Sequence, residues 1–273
     1  MTRYDWISFT TDYGLADGFV AACHGVMARI APHARVIDVT HQIPAGDIRR
    51  GALVMAQTLP YLPPAVHVAV VDPGVGTDRK PIALATDGGI LVGPDNGLLP
   101  WAAEALGGVR AAVVLDNPEL FMSPLRHTFH GRDIFAPVAA HLAAGRPLSS
   151  AGSPYDPAAL VRLPDPRLSR GEGWVQTEVL AVDGFGNIQL AGGQPEWEHL
   201  GDLVSITFDE GTHTTAAAVR ARKGTTFGSV GAGELVLYVD SADQLSIALN
   251  GGDAASLLQV TPGRTLRLTT VPS

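Results

Sequence analysis

The chain holds a single cysteine, Cys23, in 273 residues. One thiol excludes an internal disulfide framework and a thiolate zinc cluster. Cys23 lies in an apolar, helix-like run and reads as a core residue. Charge is also scarce. Charged residues make up 17% of the chain and sum to −8. An acidic surface repels phosphates, so no nucleic-acid partner is expected, and a small or cationic ligand fits better. No apolar run reaches the ~20 residues that span a bilayer, so no membrane association is expected. Residues M-T-R-Y-D-W enter a strand directly, with no leader, and the expected location is cytoplasmic. The sequence has no G-x-S-x-G elbow, no G-x-x-x-x-G-K-[ST] loop and no H-E-x-x-H helix. Those absences remove the common serine-hydrolase, phosphate-loop and zinc-protease classes. His127 and His130 stand three apart, but with no Cys cluster beside them no metal is expected.

What is present is a large apolar fraction, 46%, with glycine- and proline-rich turns between short apolar runs. The run ending at Val71 breaks at Asp72, and Pro-Gly-Val-Gly then leads to Arg79. A continuous β-branched run of this kind marks a buried parallel strand. Open α/β sheets place ligands at the C-terminal edges of such strands. Arg79 can fold back and hold Asp72 ionised. A strand capped by a tight turn with a surface ion pair accounts for the local pattern equally well.

Strands are expected at 6–11, 35–39, 66–71, 81–86, 89–92 and 111–115, with an Asp87-Gly88 hairpin between the fourth and fifth. Helices are expected after Asp17, from Asp47, over 98–106 and after Asp133, with Asp17 and Asp133 as N-caps. This alternation predicts an α/β layer domain over residues 1–165. Residues 145–173 are rich in Pro, Ser, Asp and Arg and read as a linker. From Trp174 onward the pattern turns to short strands: 175–182, 188–190, 203–208, 215–219, 235–239, 245–249 and 265–271. That predicts an all-β, barrel-like domain over residues 173–273.

Four turns of the first domain carry polar groups that a parallel sheet could bring to one rim: Asp12, Asp72 with Arg79, Asp95-Asn96 and His130-Gly131-Arg132. The second domain offers Asp183-Gly184-Phe185-Gly186-Asn187, whose aromatic would suit a flat ring. Taken singly, Asp95-Asn96-Gly97 is more often just a turn, and His130 more often a satisfied structural histidine. Pattern alone assigns no chemistry.

Six motifs in order do more: F-T-T-D-Y-G at 9–14, V-D-P-G-V-G-T-D-R at 71–79, G-P-D-N-G-L-L at 93–99, T-F-H-G-R-D at 128–133, D-G-F-G-N at 183–187 and L-S-I-A-L-N at 245–250. Carrying them, the chain resembles the S-adenosylmethionine hydrolases, or hydroxide adenosyltransferases, kin to the fluorinase and chlorinase. The resemblance implies an N-terminal α/β/α domain with a largely parallel sheet, a C-terminal β-barrel, and a homotrimer with sites between subunits. It implies no cofactor, since S-adenosylmethionine is the substrate. Asp72, Arg79 and His130 match the set that handles the attacking water. Asp12 matches the ribose-binding carboxylate, and Asp17 a methionine-side contact. Phe129 matches a position near the sugar, and Gly131 the position beside the nucleophile. Asp183 and Asn187 match contacts to methionine and adenine, and Phe185 an aromatic near the adenine. Phe227 is placed in the same pocket.

The expected reaction is attack of water at ribose C5′, giving adenosine and L-methionine. Two alternatives stand beside it: a halogenase acting at the same carbon, and a non-catalytic nucleoside-binding protein. The fluorinase carries a tyrosine where Asp72 stands and a serine where Gly131 stands. A carboxylate at 72 speaks against a halide, because two like charges repel strongly in a dry site.

Overall fold

The computed structural model describes residues 3–208 and 219–272. They divide into two compact units, residues 1–163 and 164–273.

The first unit is built on one seven-stranded sheet. Its strands are β1 (Trp6–Thr11), β2 (Arg35–Thr40), β3 (Ala65–Val70), β4 (Pro81–Ala85), β5 (Gly89–Pro94), β6 (Ala111–Val114) and β7 (Pro154–Tyr155). The order is β2-β1-β3-β5-β4-β6-β7. Strands β2, β1, β3 and β5 run parallel. The β4–β5 hairpin turns the sheet antiparallel, and β6 and β7 continue it. Four helices cover it: α1 (Phe19–Ile30), α2 (Ile48–Thr58), α3 (Leu98–Glu104) and α4 (Ala136–Ala143).

Side chains alternate across a strand, and β3 uses both faces. Val66, Val68 and Val70 enter a core shared with Cys23, Met27, Phe135 and Ala139 of the α1/α4 layer. Ala69 and the following Val71 enter a second core with Met55, Leu98 and Leu99 of the α2/α3 layer. A strand buried on both faces needs no polar alternation, which is why this one reads as a continuous apolar run. Burial pushes the Cys23 thiol up to about 12, as suits a core cysteine.

Two helix starts differ from expectation. Asp17 does not cap α1; Gly18 holds the N-cap position, with no side-chain cap. Asp133 does not begin a helix either. Residues Gly131–Phe135 wind as one π-helical turn that runs straight into α4. Asp133 sits inside that turn, buried, where it pairs with Arg132 and accepts from the Arg126 amide. Asp47, expected to start a helix, stands just before α2 as its N-cap and accepts from the Arg50 amide. Segment 145–173, expected as a bare linker, carries β7 and short helical turns in its first part.

The second unit contains β8 (Leu168–Gly171), β9 (Trp174–Val182), β10 (Ile188–Leu190), β11 (Leu203–Phe208), β12 (Val219–Lys223), β13 (Leu235–Val239), β14 (Leu245–Leu249) and β15 (Thr265–Thr270). Helices α5 (Gln194–His199) and α6 (Ala254–Leu258) interrupt the series. Strands β10-β14-β13-β12-β11-β15-β9 pair in order, and β9 pairs back to β10, so seven strands close a barrel. Strand β8 adds to β9 outside the ring. Closure removes exposed sheet edges. The barrel interior holds Val175, Val204, Leu237, Ile247, Leu266 and Leu268. Of the strand expected at 215–219, residues 215–218 lie outside the described residues, and Val219 opens β12. Among the described residues no helix is long and apolar enough to cross a membrane.

Candidate active site

The chain passes from β1 to β2 on one side and to β3 on the other. That reversal opens a crevice outside the carboxyl ends of β1 and β3. Asp12 follows β1 directly, and Asp72 stands two residues after β3. A cavity of about 220 Å³ lies there, lined by Asp12, Tyr13, Phe19, Val70, Asp72, Val75, Thr128, Phe129, His130 and Gly131. Two distant stretches, 72–79 and 127–131, must therefore meet. Gly76 makes the meeting possible. Its φ is +77°, and a Cβ there would lie 2.8 Å from the His127 carbonyl oxygen. Only glycine tolerates both conditions.

Arg79 is the hub of the polar cluster. Its Nε donates to Asp72 Oδ1 at 2.9 Å and Oδ2 at 3.0 Å, and its Nη2 also donates to Oδ2. The same Nη2 lies 2.9 Å from His130 Nδ1. The pair is deeply placed, with the Arg79 and Asp72 side chains 10% and 6% exposed. The guanidinium also stacks 5.1 Å from the Phe135 ring centroid. Arginine has no acceptor atom, so His130 Nδ1 must accept. Neutral His130 then carries its proton on Nε2, and that atom is buried with no partner among the described residues. Burial, and then the Arg79 charge, hold the His130 pKa below its usual value.

Asp12 Oδ2 accepts from the Gly46 amide at 2.9 Å, which orients the carboxylate and leaves its other oxygen uncommitted in that contact. Phe129 packs edge-on against Tyr13 and Phe19, giving the cavity an aromatic wall. At Gly131 a Cβ would overlap the Tyr13 hydroxyl, so no side chain fits while Tyr13 stays in place. Burial, with Cys23, Asp12 and Asp72 adding to it, raises the Tyr13 pKa well above its ordinary value, so the phenol keeps its proton.

The structure thus brings Asp12, Asp72, Arg79, Phe129, His130 and Gly131 together. It does not bring Asp17 into the cavity lining, and Asp17 is exposed. Asp95 and Asn96 also stay out. Asn96 Nδ2 donates to the Val71 carbonyl, and Asp95 accepts from Tyr155 Oη and the Val161 amide. They are braces for the strand end. Arg132 pairs with Asp133 and stacks on Phe129.

Tyr13, Phe19 and Thr128 also line the cavity, beyond the residues expected from the sequence. Tyr13 follows Asp12 at the end of β1 within F-T-T-D-Y-G, and that position is the sequence signal for it.

The remaining candidates belong to the second unit. Asp183 Oδ1 accepts from the Phe185 and Asn187 amides, and Oδ2 accepts from Asn187 Nδ2. Phe185 stands on this closed loop 82% exposed. Phe227 is exposed and meets Tyr238 edge-on.

Comparison with known proteins gives this geometry a lineage. The profile described as the SAM hydroxide adenosyltransferase N-terminal domain matches residues 7–152, and that of the C-terminal domain matches residues 177–267. The chain is 58% identical to a protein of Salinispora arenicola named (R)-S-adenosyl-L-methionine hydrolase, over 98% of this chain and 99% of that one. It is 28% identical to the fluorinase of an Actinoplanes species, over 96% and 97% of the two chains. A crystal structure of an uncharacterised conserved protein from Thermotoga maritima superposes with a TM-score of 0.87 at 36% identity, covering 96% of this chain and 99% of that one. The chain belongs to the SAM hydroxide adenosyltransferase family.

Proposed function

We propose that the protein hydrolyses S-adenosyl-L-methionine to adenosine and L-methionine, and that the cavity after β1 and β3 holds the ribose and the attacking water. The observation that carries the reading is the Arg79 hub, which fixes a buried carboxylate and an imidazole at one wall of that cavity. The name of the 58%-identical relative specifies the R configuration at sulfur. We extend that preference to this chain.

In the proposed step, water oxygen bonds to C5′ as the C5′–S bond breaks. The bonding pair moves to the sulfonium sulfur, which leaves as a neutral thioether and needs no acid. The water loses one proton. With His130 Nδ1 taken by Arg79, its Nε2 offers a proton rather than a lone pair. Asp72 is then the acceptor, using a lone pair that Arg79 leaves free, and Nε2–H serves to hold the oxygen. Placing the water and excluding others supplies the rest of the acceleration. Asp12 takes the ribose hydroxyls, and Phe129 and Gly131 border the sugar. In this reading Asp183, Phe185, Asn187 and Phe227 contact the methionine and adenine ends, and Asp17 the methionine side. Homotrimeric assembly and a cytoplasmic location belong to the same proposal.

Halogenation fits less well. A halide at the nucleophile's position would face the nearly buried Asp72 carboxylate, a repulsion of roughly several kcal/mol in a poorly solvated site. Incubation in oxygen-18 water, with and without chloride, tests the choice. Labelled adenosine, unchanged by chloride, is the expected product, and unlabelled adenosine overturns direct attack by water. Asp12→Ala should weaken adenosine binding at least tenfold, because charge-assisted bonds contribute about 1.5–3 kcal/mol each. Unchanged adenosine affinity by calorimetry removes Asp12 from the ribose role.

A further inference from the structure

A second polar cluster stands apart from the Arg79 hub. His24 projects from α1, Asp38 from β2, and His41 from just beyond β2. One ligand atom from each lies within 4.8 Å of the other two. His24 Nε2 is 2.8 Å from Asp38 Oδ1, and His41 Nε2 is 3.0 Å from the same oxygen. The two contacts differ in kind. His24 makes a hydrogen bond to the carboxylate. His41 Nε2, despite its distance, is buried with no hydrogen-bond partner among the described residues. His41 is only 4% exposed. An unsatisfied buried ring nitrogen is costly, and an ion held between the three groups would satisfy it.

The surroundings suit an ion. His41 Nδ1 sits 2.8 Å from the Thr11 hydroxyl. Metal-bound histidines commonly donate their second nitrogen to such a partner, which fixes the tautomer and ring orientation. The buried Phe9 ring packs against both imidazoles, 4.9 Å from His41 and 5.9 Å from His24. Asp38 supplies the compensating negative charge. His24 and Asp38 are each more than one-third exposed. They can therefore spread to the roughly 3.3 Å ligand spacing that bonds of about 2.0–2.1 Å require, and a water can complete the shell.

We infer that His24, Asp38 and His41 form a binding site for a divalent transition-metal ion of the zinc and cobalt class. Two imidazoles and one carboxylate are the donors these ions take, while calcium and magnesium prefer all-oxygen shells. The site is structural in character. The His41 ring holds Thr11 and the His41 carbonyl accepts from the Gly14 amide at 2.7 Å, so the ion would brace both ends of the turn bearing Asp12 and Tyr13.

The test uses the full chain after chelator treatment. Titration with Co²⁺ should give one ligand-field spectrum per chain, displaced by Zn²⁺, and Zn²⁺ should raise the melting temperature. His24→Ala and Asp38→Asn alter half-exposed positions and so should fold. Each should weaken Co²⁺ binding at least tenfold and abolish the zinc-dependent shift. If the unaltered protein binds no stoichiometric Co²⁺, the inference falls. It falls equally if both variants bind as the unaltered protein does, since the ion would then sit elsewhere, for instance at His127 and His130.

Discussion

The 72–79/127–131 junction of the first unit and the 183–187 loop of the second present polar groups in opposite ways. At the junction, partners lie far apart in sequence and the charges are nearly buried. Arg79 reaches His130 across 51 residues, and among the described residues both Arg79 Nη1 and His130 Nε2 lack a hydrogen-bond partner. In the 183–187 loop the Asp183 carboxylate accepts from groups within four residues of it, and so serves its own turn. The first region holds groups ready for a reacting molecule at the cost of desolvation. The second holds a shape, with Phe185 offered to solvent. A desolvated cluster with open donors suits chemistry, and a closed turn with an exposed aromatic suits recognition, which is the division of roles proposed above.

The sharpest way to break this contrast is at Asp72. Asp72→Asn should lower kcat by about 10²-fold or more while KM changes little, because the lost interaction strengthens only as water approaches C5′. Arg79→Ala should match it in size. From spacing alone Arg79 only orients Asp72, but the structure gives it two clients, and both lose their positions. Steady-state kinetics on variants with unaltered circular dichroism decide the matter, and near-normal kcat in Asp72→Asn makes the carboxylate structural.

Gly131→Ser comes next. Its Cβ would overlap the Tyr13 hydroxyl. Displacing that ring should cost roughly 10- to 100-fold in kcat/KM, the scale of a misplacement of about 1 Å. Adding Tyr13→Phe removes the overlapping oxygen and should recover part of the loss. No recovery in the double variant would place the defect elsewhere.

A smaller effect is expected from pH. The lowered His130 pKa favours the neutral ring. Protonating Nδ1 expels the Arg79 donor and sets two cations together. Activity should hold at neutral pH and fall only below about 6.5, the ordinary histidine value, as pH drops through the depressed pKa. An acid limb centred above that value contradicts the assignment. A folding control belongs beside this profile. His67, buried against the Ser8 hydroxyl, has its pKa lowered by burial to about 4. The unfolded chain therefore binds a proton there first. Stability drains away as pH falls from about 6.5 towards 4, by roughly 3 kcal/mol at the lower end.

The mildest effect should follow Phe185→Ala. A side chain 82% exposed contributes little to folding, so stability should stay within about 0.5 kcal/mol. KM for the substrate should rise several-fold with kcat nearly kept. Unchanged KM would leave the loop with a purely architectural role.

Much of this was legible in the residues. The apolar run into Asp72, the glycine turn and Arg79 announced a buried strand end with a held carboxylate. Alternation from Trp174 announced a closed β domain, because period two survives wherever one face is buried. Other features were not legible. The Asp17 and Asp133 caps follow the local rule for helix starts, yet Gly18 and a π turn took those places. Asp133 found local partners in Arg132 and the Arg126 amide, which replace the capping bond of about 1 kcal/mol. Strand β8 and helices α5 and α6 were also missed, being short and weakly periodic.

By itself the sequence determined the layers and the barrel, because hydrophobic period and turn chemistry are local properties that each segment carries with it. The tertiary structure alone decided that Arg79 serves both Asp72 and His130, that Tyr13 fills the space beside Gly131, and that His24, Asp38 and His41 converge. Those facts rest on groups far apart in the chain being desolvated in one place. There the direction of a single N–H bond, and not the type of residue, sets which atom gives a proton and which receives it.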